Sequence, residues 1–215
     1  MRLIKYAVGS SIGRKQVVAL TGLLLVGFLA SHLSGNLLIL FGPEAFDSYA
    51  EFLAAHPLLI PAEIGLAAVF ITHIVWGLWV SFQNRAARPD RYEVNENEGG
   101  RTPGSATMKY TGVMTLIYLL IHIYTMKIQH VAGTSLWNHA VNWFEIAPYT
   151  LFYLFAMVGL GLHLSHGLKS AAQTFGINHP RYTPVIEIVG FVLAVGFGVG
   201  FGILPIWSLT VGSQL

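Results

Sequence analysis

"VVALTGLLLVGFLASHLSGNLLILF", residues 17–41, runs for 25 residues without a charged side chain. At about 1.5 Å per residue a helix of this length exceeds the ~30 Å hydrocarbon core of a bilayer. The stretch therefore reads as a membrane span, and one with a histidine, His32, inside it. A basic end precedes it (Arg2, Lys5, Arg14, Lys15). The apolar run is too long for a secretory signal and lacks an A-x-A exit, so it is expected to stay in the protein as a span.

The rest of the chain repeats this pattern. Of 215 residues, 54% are hydrophobic and only 10% charged, against roughly 25% charged in ordinary soluble domains. Five spans are expected, at about 17–41, 60–83, 110–130, 146–172 and 184–207, and residues 1–215 read as a single transmembrane domain. Eleven of the twelve Lys and Arg residues fall on the side of the N-terminus, leaving only Lys127 for the other. The positive-inside rule then puts the N-terminus in the cytoplasm and, with five spans, the C-terminus outside. Trp137, Trp143 and Trp207 are expected in an outer interfacial belt, and residues 134–148 in a short outer loop. The inner connection 84–108 reads as a docking surface or a flexible linker.

Absence of cysteine excludes disulfides, thiolate-bound iron–sulfur clusters, covalent c-type haem and cysteine zinc sites within the chain. A net charge of +2, sorted by membrane side, gives no nucleic-acid patch. The Gly-rich "VGFGVGFG" of the fifth span has neither a preceding strand nor G-x-G-x-x-G spacing, so it is not a nucleotide site. Gly190, Ala194, Gly198 and Gly202 recur every four residues and are expected to form a smooth face for close helix packing.

His32, His73, His122 and His163 fall one in each of the first four spans. Polar groups in hydrocarbon need internal partners, which makes each a candidate functional residue. His32 to His73 is 41 residues, and so is His122 to His163. The chain thus reads as two helical hairpins with a histidine at matching places. His73-Ile-Val-Trp-Gly77 and His163-Leu-Ser-His-Gly167 share H-x-x-x-G, a glycine one turn along that would clear the way for a flat ligand.

Depth along the helices pairs His32 with His122 nearer the outer side and His73 with His163 nearer the inner side, the two levels roughly 10 Å apart. Zinc needs three or four ligands per site, and no further donor stands beside either pair. Haem iron takes two axial ligands, and bis-histidine ligation suits electron transfer. The favoured reading is an all-α membrane protein whose first four helices surround two stacked b haems. His56, His130, His139 and His179 fall in loops or at loop ends and are not expected to be ligands.

With these features the sequence resembles the single-chain, five-helix, dihaem cytochrome b anchor subunits of succinate dehydrogenase and fumarate reductase (succinate:quinone oxidoreductase, complex II). The likeness rests on "SSIGRKQ" near the N-terminus, one histidine in each of four helices, and "HLSHGLKSAAQTFG" from His163 to Gly176. The family pattern sets the haem ligand thirteen residues before the glycine matched by Gly176, which selects His163 over His166. His166 then faces a propionate or a neighbouring helix.

The resemblance implies a flavoprotein and an iron–sulfur subunit docked on the cytoplasmic face of the bacterial inner membrane. It also implies a quinone substrate, with menaquinone expected. Ser10 and Arg14 are similar to a Ser-x-x-x-Arg element beside an inner quinone site, although Arg14 and Lys15 serve equally as lipid-facing anchors. Glu44, Asp47, Glu51 and Glu63 are outer candidates for quinone protons, or solvated loop charges; Glu63 is carried as a quinone contact. Gly161 stands where some family members have an acid, so a transmembrane proton path is not expected here.

Two other classes compete. Cytochrome b subunits of hydrogenase, formate dehydrogenase or nitrate reductase type often place two ligands on one helix, unlike the even distribution here. A non-redox transporter or scaffold would need intramembrane acids to partner the histidines, and there are almost none.

Overall fold

The computed structural model describes residues 9–87 and 102–211. Arg2, Lys5, Arg88, Arg91 and Arg101, and residues 88–101 of the polar connection, lie outside the described residues. Among the described residues there are seven α-helices: α1 (Ser11–Asn36), α2 (Pro43–Ala55), α3 (Leu59–Ala86), α4 (Pro103–Ile123), α5 (Leu136–Glu145), α6 (Ala147–Thr174) and α7 (Thr183–Thr210). A 3-10 turn (Leu37–Phe41) extends α1, and a π-helical turn (Tyr124–Ile128) extends α4. With those extensions, five helices of 26 to 31 residues are long and apolar enough to cross a membrane.

Local chemistry sets the helix ends. Ser10 caps α1 by accepting from the Gly13 N–H at 2.9 Å. Thr102 and Ser105 form a reciprocal capping box at the start of α4, with Pro103 behind the cap. Gly176 closes α6 at φ +79°, and the Ile177 N–H returns to the Ala172 carbonyl at 2.9 Å. A left-handed glycine of this kind is a common helix terminator. The "TFG" of the motif is thus a helix stop.

The helices form two hairpins, α1 with α3 and α4 with α6, joined through α1 and α6. The expected smooth face of α7 packs on α6: a Cβ at Gly198 would lie 3.3 Å from the Met157 carbonyl, and one at Gly190 3.4 Å from the Leu168 Cβ. Ala194 in the same row is buried. Gly161 faces this seam, where an added Cβ would lie 3.4 Å from the Ala194 carbonyl. Outward-facing Leu24, Ile71, Leu151, Phe155 and Val192 are all exposed, as a lipid-facing surface requires. Helix α3 packs chiefly on α1, and no residue of α3 is buried within the chain.

One end of the bundle differs from the sequence expectation. Residues 134–148 hold helix α5 rather than a short loop, and residues 43–55 are helical as well. Ser135 caps α5, and Trp137, Ala140, Val141 and Phe144 bury one helical face. Trp137 is only 3% exposed, so it is a core residue beneath this cap and not part of an interfacial belt. Its indole donates to the Ile39 carbonyl at 3.1 Å, and its backbone N–H donates to Asp47 at 2.8 Å. Asp47 therefore ties α5 to α2. Among the described cations, Arg14, Lys15, Arg85, Lys109, Lys169 and Arg181 belong to the opposite, basic end, and Lys127 alone belongs to the capped end.

Candidate functional site: two facing histidine pairs

Four histidines line the gap between the hairpins. His32 of α1 faces His122 of α4 with ring centres 5.9 Å apart and planes at 85°. His73 of α3 faces His163 of α6 at 6.4 Å and 78°. The structure thus brings together the residues that depth along the helices had paired.

Each imidazole is held from behind. His73 Nδ1 lies 3.1 Å from the Val18 carbonyl and 3.1 Å from Thr21 Oγ1. A carbonyl can only accept, so Nδ1 carries the proton and Nε2 keeps its lone pair. Thr21 in turn donates to the Val17 carbonyl at 2.7 Å, which leaves its oxygen free to accept from the ring. At the other level His122 Nδ1 is hydrogen-bonded to the Tyr153 hydroxyl. Phe28 stacks on His32 at 5.0 Å and Tyr118 on His122 at 5.6 Å, each one helical turn before its histidine. His163 Nδ1 is buried without a hydrogen bond of normal geometry.

Two glycines missed by reading along single helices sit against the second pair. A Cβ at Gly22 of α1 would lie 3.1 Å from His73 Cε1, and one at Gly112 of α4 3.3 Å from His163 Cε1. By contrast, a Cβ at Gly77 would meet nothing within 4 Å, and one at Gly167 only the tip of Met108 at 3.9 Å. The glycines in contact with these imidazoles are thus on the other helix of each hairpin. A signal for them was present, since Thr-Gly precedes the histidine by the same interval in both helices: Thr21-Gly22 before His32, Thr111-Gly112 before His122.

The same contacts set the separation of the two levels. Gly22 and His32 are ten residues apart on α1, as are Gly112 and His122 on α4, so the pairs are separated by ~15 Å along the helices. This is wider than the ~10 Å expected from depth counted from the cations at the helix ends.

The other candidates have partners within the chain. Ser10 is the cap of α1. Arg14 donates to Gln83 of α3 and to the Gly9 carbonyl. Glu63 is ion-paired with Lys127 across α3 and the π-helical turn. His166 packs its Cβ against α4, 3.2 Å from where a Gly104 side chain would begin. His56 and His179 accept backbone N–H groups, whereas His130 and His139 bond to the Thr134 and Thr125 carbonyls. Among the described residues, no three or more His, Cys, Asp or Glu side chains gather as a metal-ion site. The donor set is therefore two imidazoles at each level.

The chain is similar to a succinate dehydrogenase cytochrome b subunit. Its relative is the succinate dehydrogenase cytochrome b558 subunit of Bacillus subtilis (strain 168), 28% identical over 187 residues, covering 84% of this chain and 89% of the Bacillus protein. No family model and no solved structure gives a significant match. The Bacillus likeness and the five apolar helices together make this chain an integral, multi-pass membrane protein.

Proposed function

We propose that the chain is the cytochrome b membrane-anchor subunit of a succinate:quinone oxidoreductase. It holds two b haems, one between His32 and His122 and one between His73 and His163. The observation that carries this reading is the facing of the two histidine pairs across the gap between the hairpins, in a chain similar along most of its length to a succinate dehydrogenase cytochrome b.

The residues fit the group. At each level two imidazoles from different helices face each other with no third donor gathered beside them among the described residues, a set that would suit a metal taking two protein nitrogens. The pairs stand at 5.9 and 6.4 Å. When bound, haem with two axial imidazoles supplies one-electron transfer without an open coordination position.

The chain's own residues orient the ligands. Val18 and Thr21 hold His73 in the Nδ1–H form, with Nε2 available to iron. Gly22 and Gly112 let α1 and α4 approach the edges of His73 and His163. Apolar helix faces keep water from both levels.

The basic end is assigned to the cytoplasm, where the flavoprotein and iron–sulfur subunits dock, and the capped end to the outside of a bacterial cytoplasmic membrane. Electrons then pass between the iron–sulfur subunit and a membrane quinone, menaquinone in this reading. Ser10, Arg14 and Glu63 are its quinone candidates, each holding a partner that a bound quinone has to share or displace.

A reduced-minus-oxidised spectrum of the purified protein, with haem quantified per chain, tests the assignment. Two b-type haems are expected, together with co-purification of a flavoprotein that supports succinate-dependent quinone reduction. Absence of b-type bands contradicts the haem reading; recovery of a hydrogenase subunit instead contradicts the complex II assignment.

A further inference from the structure

The two hairpins are related by a shift of 90 residues: Thr21 and Thr111, Gly22 and Gly112, His32 and His122, His73 and His163, Gly77 and Gly167 all coincide, and Phe28 falls on Tyr118. The match breaks beside the His32/His122 pair. Position 63 of the first hairpin is a glutamate, and its counterpart in the second is Tyr153. Tyr153 is 5% exposed and bonded to His122 Nδ1.

Direction in this contact follows from what stands behind it. Thr125 Oγ1 donates to the Ile121 carbonyl at 2.9 Å, so the Tyr149 hydroxyl, 2.7 Å from the same oxygen, is the donor there. With its proton committed, Tyr149 can only accept from its neighbour Tyr153. Its ring centre lies 5.0 Å from that of Tyr153, and the Tyr118 ring packs on the other side at 4.8 Å. The Ile121 carbonyl at the far end thus orders Thr125 and Tyr149 toward itself, and leaves the Tyr153 proton to turn away from His122, toward the Tyr149 and Tyr118 hydroxyls with which it interacts. Tyr153 then accepts from His122 Nδ1–H, and Nε2 is left with its lone pair.

We propose that Tyr153 is a positioning residue for His122, holding the imidazole in the Nδ1–H form through the Tyr153–Tyr149–Thr125 chain and lowering the potential of the His32/His122 haem selectively. This rests on the dihaem reading above. An acceptor on Nδ1–H makes the ligand more basic, which favours ferric over ferrous iron. The other haem has its own partners, Val18 and Thr21, and is independent of Tyr153.

The test is potentiometric titration of both haems in the assembled complex, comparing wild type with Tyr153→Phe and Tyr149→Phe. The two centres are distinguished by which one His32→Ala removes. Tyr153→Phe is expected to raise the potential of the His32/His122 haem by about a tenfold change in its one-electron equilibrium, ~59 mV, with the other haem unmoved. Tyr149→Phe is expected to move the same haem in the same direction by less. Loss of that haem from Tyr153→Phe but not from Tyr149→Phe also supports the proposal. An unchanged potential in Tyr153→Phe, equal shifts of both haems, or loss of the haem from both variants overturns it. A wild-type protein without two b haems instead contradicts the dihaem reading itself.

Discussion

His73 Nδ1 and the Val18 carbonyl lie 3.1 Å apart, so the histidine of α3 is oriented by the backbone of α1. Thr21 supplies a second acceptor at 3.1 Å. Thr21→Val removes that acceptor and leaves the carbonyl in place. The His73/His163 haem is expected to remain bound with a raised potential, and stability to change by about 0.5–1.5 kcal/mol, the usual net worth of one hydrogen bond. Redox titration beside thermal unfolding in detergent checks both parts.

Gly22 and Gly112 stand against the imidazoles of His73 and His163, where a Cβ comes to 3.1 and 3.3 Å. Gly22→Val and Gly112→Val are expected to displace those rings and to lose the same haem. Haem content of the two variants checks whether these close approaches hold the imidazoles in place.

The spans and the facing of the histidines were legible because both depend on features local to the chain: charge-free runs of span length, and the depth of each histidine counted from the nearest basic helix end. What lay on the far side of an interface was not. The contacts of Gly22 with His73 and of Gly112 with His163 join different helices, and no spacing within one helix announces them. Helix α5 escaped because its buried face (Trp137, Ala140, Val141, Phe144) is short and its Trp residues look interfacial until Ile39 and Asp47 are seen to hold Trp137. Tyr153 gave no signal at all until folding set it beside His122.

Trp137 fastens the cap over one end of the bundle, packing against Trp207 at 6.5 Å and bonding to Ile39 and Asp47. Trp137→Ala is expected to cost about 3–5 kcal/mol, as for other buried aromatics. Chemical unfolding followed by α-helical circular dichroism measures it.

Glu63 and Lys127 form an ion pair with side chains 40% and 61% exposed. Pairs this exposed contribute about 0–1 kcal/mol, so Glu63→Gln is expected to leave stability nearly unchanged. A fall in succinate-dependent quinone reduction in that variant, with both haems retained, assigns Glu63 to quinone chemistry; unchanged turnover assigns it to the ion pair alone.

The pairing of ligands across helices is tested most directly by the haem spectra of four single variants. His73→Ala and His163→Ala are expected to lose one and the same haem, and His32→Ala and His122→Ala the other, each variant keeping one b-type centre. A crossed result, in which His32→Ala and His73→Ala remove the same haem, contradicts it.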